Sequence, residues 1–170
     1  MRIPTKVSLI VALLLPACST IPNVSHYMLP DIAIHSSTNP IEATRIELPE
    51  YIDHQDVVLE LDTSSFHRAN FHKWSEPLED GITRLLERLS TQEKPIPIEL
   101  AITRFHGTES GYVNFSGRWR QLNTNDDESA WNPFEFQAPL PKSGYSTMIE
   151  AQAHLVDALR LEIAQTISRE

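Results

Sequence analysis

Three residue types in this chain could carry chemistry: one thiol, seven imidazoles, and serines beside glycine such as Ser110 and Ser116. Cys18 is the only cysteine, and a thiolate is a strong nucleophile toward activated carbon. His67 and His72 are five apart and His106 lies far downstream. That spacing matches neither H-E-x-x-H nor a paired-cysteine zinc site. No metal and no cofactor is expected, and the histidines are expected in loops or on the surface. Ser110-Gly111 and Ser116-Gly117 lie outside any G-x-S-x-G frame. No nucleophile, base and orienting acid share a recognisable spacing. Asp126-Asp127-Glu128 lacks the oxygen pattern of a calcium loop and reads as solvated charge. The chain therefore reads as non-enzymatic.

The setting of the thiol is informative. Arg2 and Lys6 precede the apolar run Val7 to Leu15. Nine residues make about 14 Å of helix at about 1.5 Å each, half of the roughly 30 Å hydrocarbon core. Such a segment is an export signal and not a span. Leu15-Pro16-Ala17-Cys18 resembles the bacterial lipobox. By that resemblance residues 1–17 are a signal peptide, and Cys18 becomes an acylated amino terminus. Several chains at about 0.8 kcal/mol per buried CH₂ hold firmly where one holds marginally. Ser19 follows in place of the aspartate that retains enteric lipoproteins in the inner membrane. The expected location is the outer membrane, held by acyl chains on its periplasmic face.

Removing residues 1–17 takes away Arg2 and Lys6 and no acid, so the formal charge moves from −9 to −11. Such a surface does not track nucleic acid phosphates. It also gives no broad attraction to anionic headgroups, so membrane contact is expected through the acyl chains alone. Residues 18–25 read as a tether and 26–170 as one domain.

The elements that position any site follow from periodicity. Thr44 to Leu48 reads as a short strand and Asp56 to Asp62 as a half-buried one, with Thr63-Ser64-Ser65 breaking it. Ser75 is the expected cap of an amphipathic helix over 76–90. Ile96, Ile98, Leu100 and Ile102 alternate as a strand, and Pro95 and Pro97 place its start at a sheet edge. Residues 106–111 read as a turn. The strand from Tyr112 to Leu122 points Val113, Phe115, Gly117 and Trp119 one way, and Arg118 and Arg120 the other. A further strand is expected over 131–138. Thr147 and Glu150 read as the capping box of a long final helix. The fold class is α+β: a mixed, largely antiparallel sheet covered on one face by two helices.

Trp74, Arg118 and Arg120 are the candidate partner-binding residues. Trp74 could anchor an interface or staple the helix entry to the sheet, and packing is the favoured reading. Trp119 is expected in the core.

An ordered set of segments carries a resemblance. It comprises Leu48-Pro49-Glu50-Tyr51-Ile52-Asp53-His54, Phe71-His72-Lys73-Trp74-Ser75-Glu76-Pro77-Leu78, and Gly111-Tyr112-Val113-Asn114-Phe115-Ser116-Gly117-Arg118-Trp119. With the lipobox, these make the chain resemble the PqiC (YmbA) family, auxiliary lipoproteins of ABC-type transport systems. The resemblance implies a non-enzymatic accessory of an MCE-domain transport system that carries lipids between membranes, with an MCE-domain protein as partner. It leaves room for a homo-oligomer. Three positions depart from it: His54 where arginine is common, Glu60 where a basic residue is common, and His106 where an acid is frequent. Two other readings stand beside it. One is a stand-alone envelope-assembly lipoprotein that binds cell-wall or outer-membrane proteins, and the other is a periplasmic hydrolase using His and Ser.

Overall fold

The computed structural model describes residues 22–32, 40–88, 95–122 and 129–169. The signal segment, Cys18, most of the loop at 35–40, the expected helix end at 89–90 and Asp126-Asp127-Glu128 lie outside the described residues.

Seven strands and two helices build the domain in the order β1 (Ser25–Tyr27), β2 (Ile41–Glu47), β3 (Asp56–Asp62), β4 (Ser65–Trp74), α1 (Leu78–Leu86), β5 (Ile96–Thr108), β6 (Tyr112–Gln121), β7 (Asn132–Pro139) and α2 (Tyr145–Ile167). The sheet runs β1-β4-β3-β5-β6-β7, and β2 pairs with β5. The β3–β4, β5–β6 and β6–β7 pairs are antiparallel, whereas β1–β4, β2–β5 and β3–β5 are parallel. This is the expected α+β sheet. Among the described residues, no helix is long and apolar enough to cross a membrane.

The alternation of β6 holds. Val113, Phe115 and Trp119 are fully buried, and they pair with Gly107, Phe105 and Leu100 of β5 across the ladder. Leu78, Ile82, Leu85 and Leu86 of α1 and Met148, Val156, Leu159 and Ile163 of α2 close over that face. Each such side chain contributes about 1.5–3 kcal/mol by leaving water.

β5 departs from simple alternation. Its pairing with β6 slips between Ile102 and Arg104, which leaves Thr103 as the extra residue of a bulge. Ile98, Leu100 and Ile102 face the helices before the slip, and Phe105 and Gly107 face them after it. His106 therefore falls on the opposite, helix-free face. The expectation of a turn from 106 is corrected: β5 continues to Thr108, and the turn begins at Glu109.

Four other expectations are corrected. The start of β5 is not at an edge, because Pro97 lies between β2, at Glu42, and the end of β6. Its carbonyl accepts from Leu122 N at 2.8 Å. Proline is tolerated because the amide it lacks would face β6 where that ladder ends. Ser75 does not cap α1. Its amide still bonds Tyr27 O at 2.7 Å as an extension of the sheet, and Pro77 takes the cap position without a side-chain bond. The helix ends at Leu86, with Glu87 as C-cap. Thr147 is no cap either, because α2 opens at Tyr145 after Gly144 and buries Thr147 in its first turn. β4 was not foreseen. It follows a turn in which the Asp62 carboxylate accepts from the Ser65 hydroxyl (2.5 Å), the Ser64 amide (2.9 Å), the Ser64 hydroxyl (3.0 Å) and the Ser65 amide (3.0 Å). Those bonds, that from the Ser65 hydroxyl first, pull the carboxyl down to about 2. Only Ala69 and Trp74 of β4 are buried, so its sequence carries no apolar alternation.

Gly117 sits opposite the bulge, where a Cβ would collide with the Ala101 carbonyl and press on Ile102 Cα and the Phe134 ring. At Gly107 a Cβ would collide only with the thioether of Met148, which can swing away. Gly117→Ala should destabilise the domain by about 3 kcal/mol and Gly107→Ala by about 1 kcal/mol. Chemical denaturation of both variants checks the order; an equal or larger loss at Gly107 would refute it.

Candidate functional site

The excursion between β2 and β3 is the segment that shapes the surface. β2 and β3 lie on the same edge of β5, one along Ile96–Ala101 and the other at Gly107–Thr108. Residues 48–55 bridge the gap between them. A turn closes as the amides of Ile52 and Asp53 donate to Pro49 O at 3.0 and 3.1 Å. Ile52 is buried and holds the turn down. Tyr51 reaches across and donates its hydroxyl to the carbonyl of the bulge residue, Thr103, at 3.1 Å. Burial raises that phenol to about 12.

The far end of the excursion is pinned to β4. Trp74 N donates to Gln55 O at 2.7 Å. Lys73 Nζ donates to Asp56 at 2.8 Å, and this bond holds the Asp56 carboxyl below its usual range. His54 Nδ1 lies 3.1 Å from the Asp56 amide and 3.2 Å from its carboxylate. The ring accepts from the first or, when protonated, pairs with the second.

Two sequence segments thereby face each other. Asp53, His54 and Gln55 form one wall of a groove of about 350 Å³, and Trp74, Ser75, Glu76, Pro77 and Leu78 form the other. Arg84 of α1 steadies the second wall by donating to Glu76 and Asp31 at 2.8 and 2.9 Å and to Leu29 O at 2.9 Å. The groove offers carboxylates, an imidazole and a hydroxyl over an apolar floor. That inventory suits the recognition of donors and positive charge on a partner.

Trp74 belongs to this groove but is only 4% exposed, so most of its indole is core. Arg118 and Arg120 lie elsewhere. Both guanidinium carbons stand 4.7 Å from the centre of the Trp131 ring, within cation–π range. Arg120 also bonds Glu99 at 2.7 Å. β3 and β5 separate β4 from β6, and Trp74 faces the helices while the two arginines face away. The three candidates therefore do not form one surface. Cys18 lies outside the described residues.

A second cluster escaped the sequence reading. His106, expected on a surface or loop, is 1% exposed. Tyr51 and Phe66 stand edge-on to its ring at 5.9 and 5.2 Å. Glu60 Oε2 lies 3.6 Å from His106 Nδ1 and accepts from Asn114 at 3.4 Å, and Gln137 donates to Asn114 at 2.9 Å. His106 Nε2 has no partner among the described residues. Glu60 and His106 are two of the departures from the resemblance, and they face each other with an acid on β3 and a base on β5. The other imidazoles and the two serines are scattered: His72 stacks on Tyr145 at 3.8 Å, His67 pairs with Leu59 along β4, and the Ser110 and Ser116 hydroxyls bond those of Thr108 and Thr103 at 2.9 and 3.0 Å. α2 also buries Asp157 and Arg160, bonded at 2.8 Å, which no periodicity marked as core.

A family model, ABC-type transport auxiliary lipoprotein component, matches residues 28–164. The chain belongs to that family. It is 26% identical over 180 residues to the intermembrane transport lipoprotein PqiC of Escherichia coli strain K12, covering 94% of this chain and 95% of the relative. The Shigella flexneri protein of the same name matches equally. Two crystal structures share the fold. One, of an uncharacterized protein, has a TM-score of 0.69 at 22% identity and covers 85% of this chain and 99% of its own. The other, XCC0632 from Xanthomonas campestris, has a TM-score of 0.65 at 12% identity and covers 86% and 100%.

Burial holds the His106 pKa below its ordinary value; the Gly107 carbonyl and Glu60 act against this, and Arg104 adds to it. Below about pH 6.5 the unfolded chain takes up a proton that folded His106 refuses. Stability is then full above that pH and falls as pH drops toward the folded pKa. His106→Phe should flatten this part of the decline. Denaturation midpoints from pH 7.5 to 5 check it, and an unchanged pH slope in the variant refutes it.

Proposed function

We propose that this protein is a non-enzymatic, membrane-anchored accessory of an ABC-linked, MCE-type system that moves lipids between membranes. In this reading Cys18 carries the acyl anchor, and the body faces the periplasm from the outer membrane and supports envelope integrity. The groove between Asp53–Gln55 and Trp74–Leu78 docks the MCE-domain partner. One observation carries the reading: two of the three segments bearing the family resemblance, some twenty residues apart in sequence, converge on one groove. The name of the PqiC relatives, matched along almost the whole chain, supports the transport context. Docking uses the exposed Asp53 carboxylate and the half-buried Glu76 carboxylate that Arg84 holds in place, and requires no turnover.

Two experiments test the parts separately. Cys18→Ala should leave the protein unacylated and remove it from the outer-membrane fraction; a variant that still fractionates normally sinks the anchor. A photocrosslinking residue at Asp53 should capture an MCE-domain protein in intact cells, and one at Lys142, on the loop before α2, should not. Equal capture from both positions, or none from Asp53, refutes the groove as the docking site.

A further inference from the structure

β1 pairs with β4 only from His72 to Trp74. Among the described residues, the outer edge of β4 from Ser65 to Phe71 therefore has no strand beside it. Continuing the β1–β4 register by one residue sets Val24 opposite Phe71. Val24 and Phe71 are 36% and 46% exposed and line this open edge where the chain enters the fold, while Phe66, 44% exposed, leans from the same strand onto Tyr51.

The charge on this strand differs from that of the whole protein. The chain carries a formal −9, yet Ser65–Trp74 contains no acid and repeats Phe-His-base twice, as Phe66-His67-Arg68 and Phe71-His72-Lys73. Lys73 is held by Asp56. Arg68 and His67 are exposed, and neither meets a carboxylate among the described residues. The acids of the adjoining β3 are already engaged: Asp56 by Lys73, Asp62 by Ser64 and Ser65, and Glu60 by Asn114.

From these observations we infer that the edge of β4, Ser65–Phe71, lies against the headgroup layer of a phospholipid membrane as a second contact beside the acyl chains. The inference rests on the anchoring of Cys18. Seven residue steps separate Cys18 from Ser25 and span at most about 25 Å. The edge from Ser65 to Phe71 is about 20 Å long. A leash of that length never carries the edge far from the bilayer, so its local concentration there is high. A patch too small to bind membrane from solution is then sufficient. Phenylalanine suits the headgroup–acyl boundary, and an unpaired guanidinium suits lipid phosphate.

The test uses the mature lipidated protein, whose Cys18 sulfur is already blocked, with one new cysteine carrying an NBD fluorophore. Phe71→Cys and Asn70→Cys report the edge, and Glu135→Cys reports β7, at the opposite end of the sheet. In phosphatidylethanolamine–phosphatidylglycerol vesicles, the labels at 70 and 71 should shift to the blue, and shallow brominated lipids should quench them at least twofold. The label at 135 should do neither. Arg68→Glu should halve the quenching at 71 when phosphatidylglycerol is present. Quenching at 71 equal to that at 135, in protein that floats with the vesicles, overturns the inference and leaves the anchor standing. Protein that fails to float and shows an unmodified Cys18 by mass overturns the anchor and the inference together. Shielding of 71 only when a partner protein is added also overturns it, in favour of strand addition at this edge.

Discussion

The bulge in β5 is the constraint on which the rest of this molecule depends. One extra residue, Thr103, changes which side of the strand meets the helices. Ile98, Leu100 and Ile102 fill the core from the first half of the strand, and Phe105 and Gly107 fill it from the second. Without the slip, His106 would turn into the core and Phe105 into solvent. β6 accommodates the kink because Gly117 lets the two backbones approach at that point. Tyr51 donates to the carbonyl of the bulge residue from the excursion between β2 and β3. One irregularity thus sets the core, the position of the buried imidazole and the path of the surface segment.

That segment links packing to the proposed docking groove. It is fastened at Tyr51, Ile52 and Gln55 by a side-chain bond, a buried side chain and a backbone bond. Asp53 and His54, between the fastened points, are left exposed. The opposite wall is rigid for a different reason: β4 enters α1 through Ser75, whose amide is bonded to β1, and through Pro77, whose φ is restricted. A groove with two fixed walls presents its carboxylates already positioned, which lowers the ordering cost of binding.

Much of this was legible in the residue order, and the exceptions share a cause. The apolar faces of α1, α2 and β6 were readable because each buries one side, and one-sided burial writes a period into the sequence. β4 was unreadable because it buries two of its ten residues. The turn reading at 106–111 failed because the bulge broke the alternation of β5 just ahead of His106. The two expected helix caps failed because the chain begins each helix where the preceding segment releases it. At Ser75 that point is set by a ladder bond to Tyr27, more than forty residues away.

The residue order by itself determined the two helices, most of the strands, the buried side of β6 and the core placement of Trp119. Each of these is a local pattern of side chains that one face of water or core selects. Only the tertiary structure decided that β4 is a strand, that His106 is buried against Glu60, and that Asp53–Gln55 and Trp74–Leu78 share a groove. Those outcomes depend on register, on a one-residue slip and on backbone bonds between distant segments. Backbone amides and carbonyls are the same in every residue type except proline, so no choice of side chain records which of them will meet.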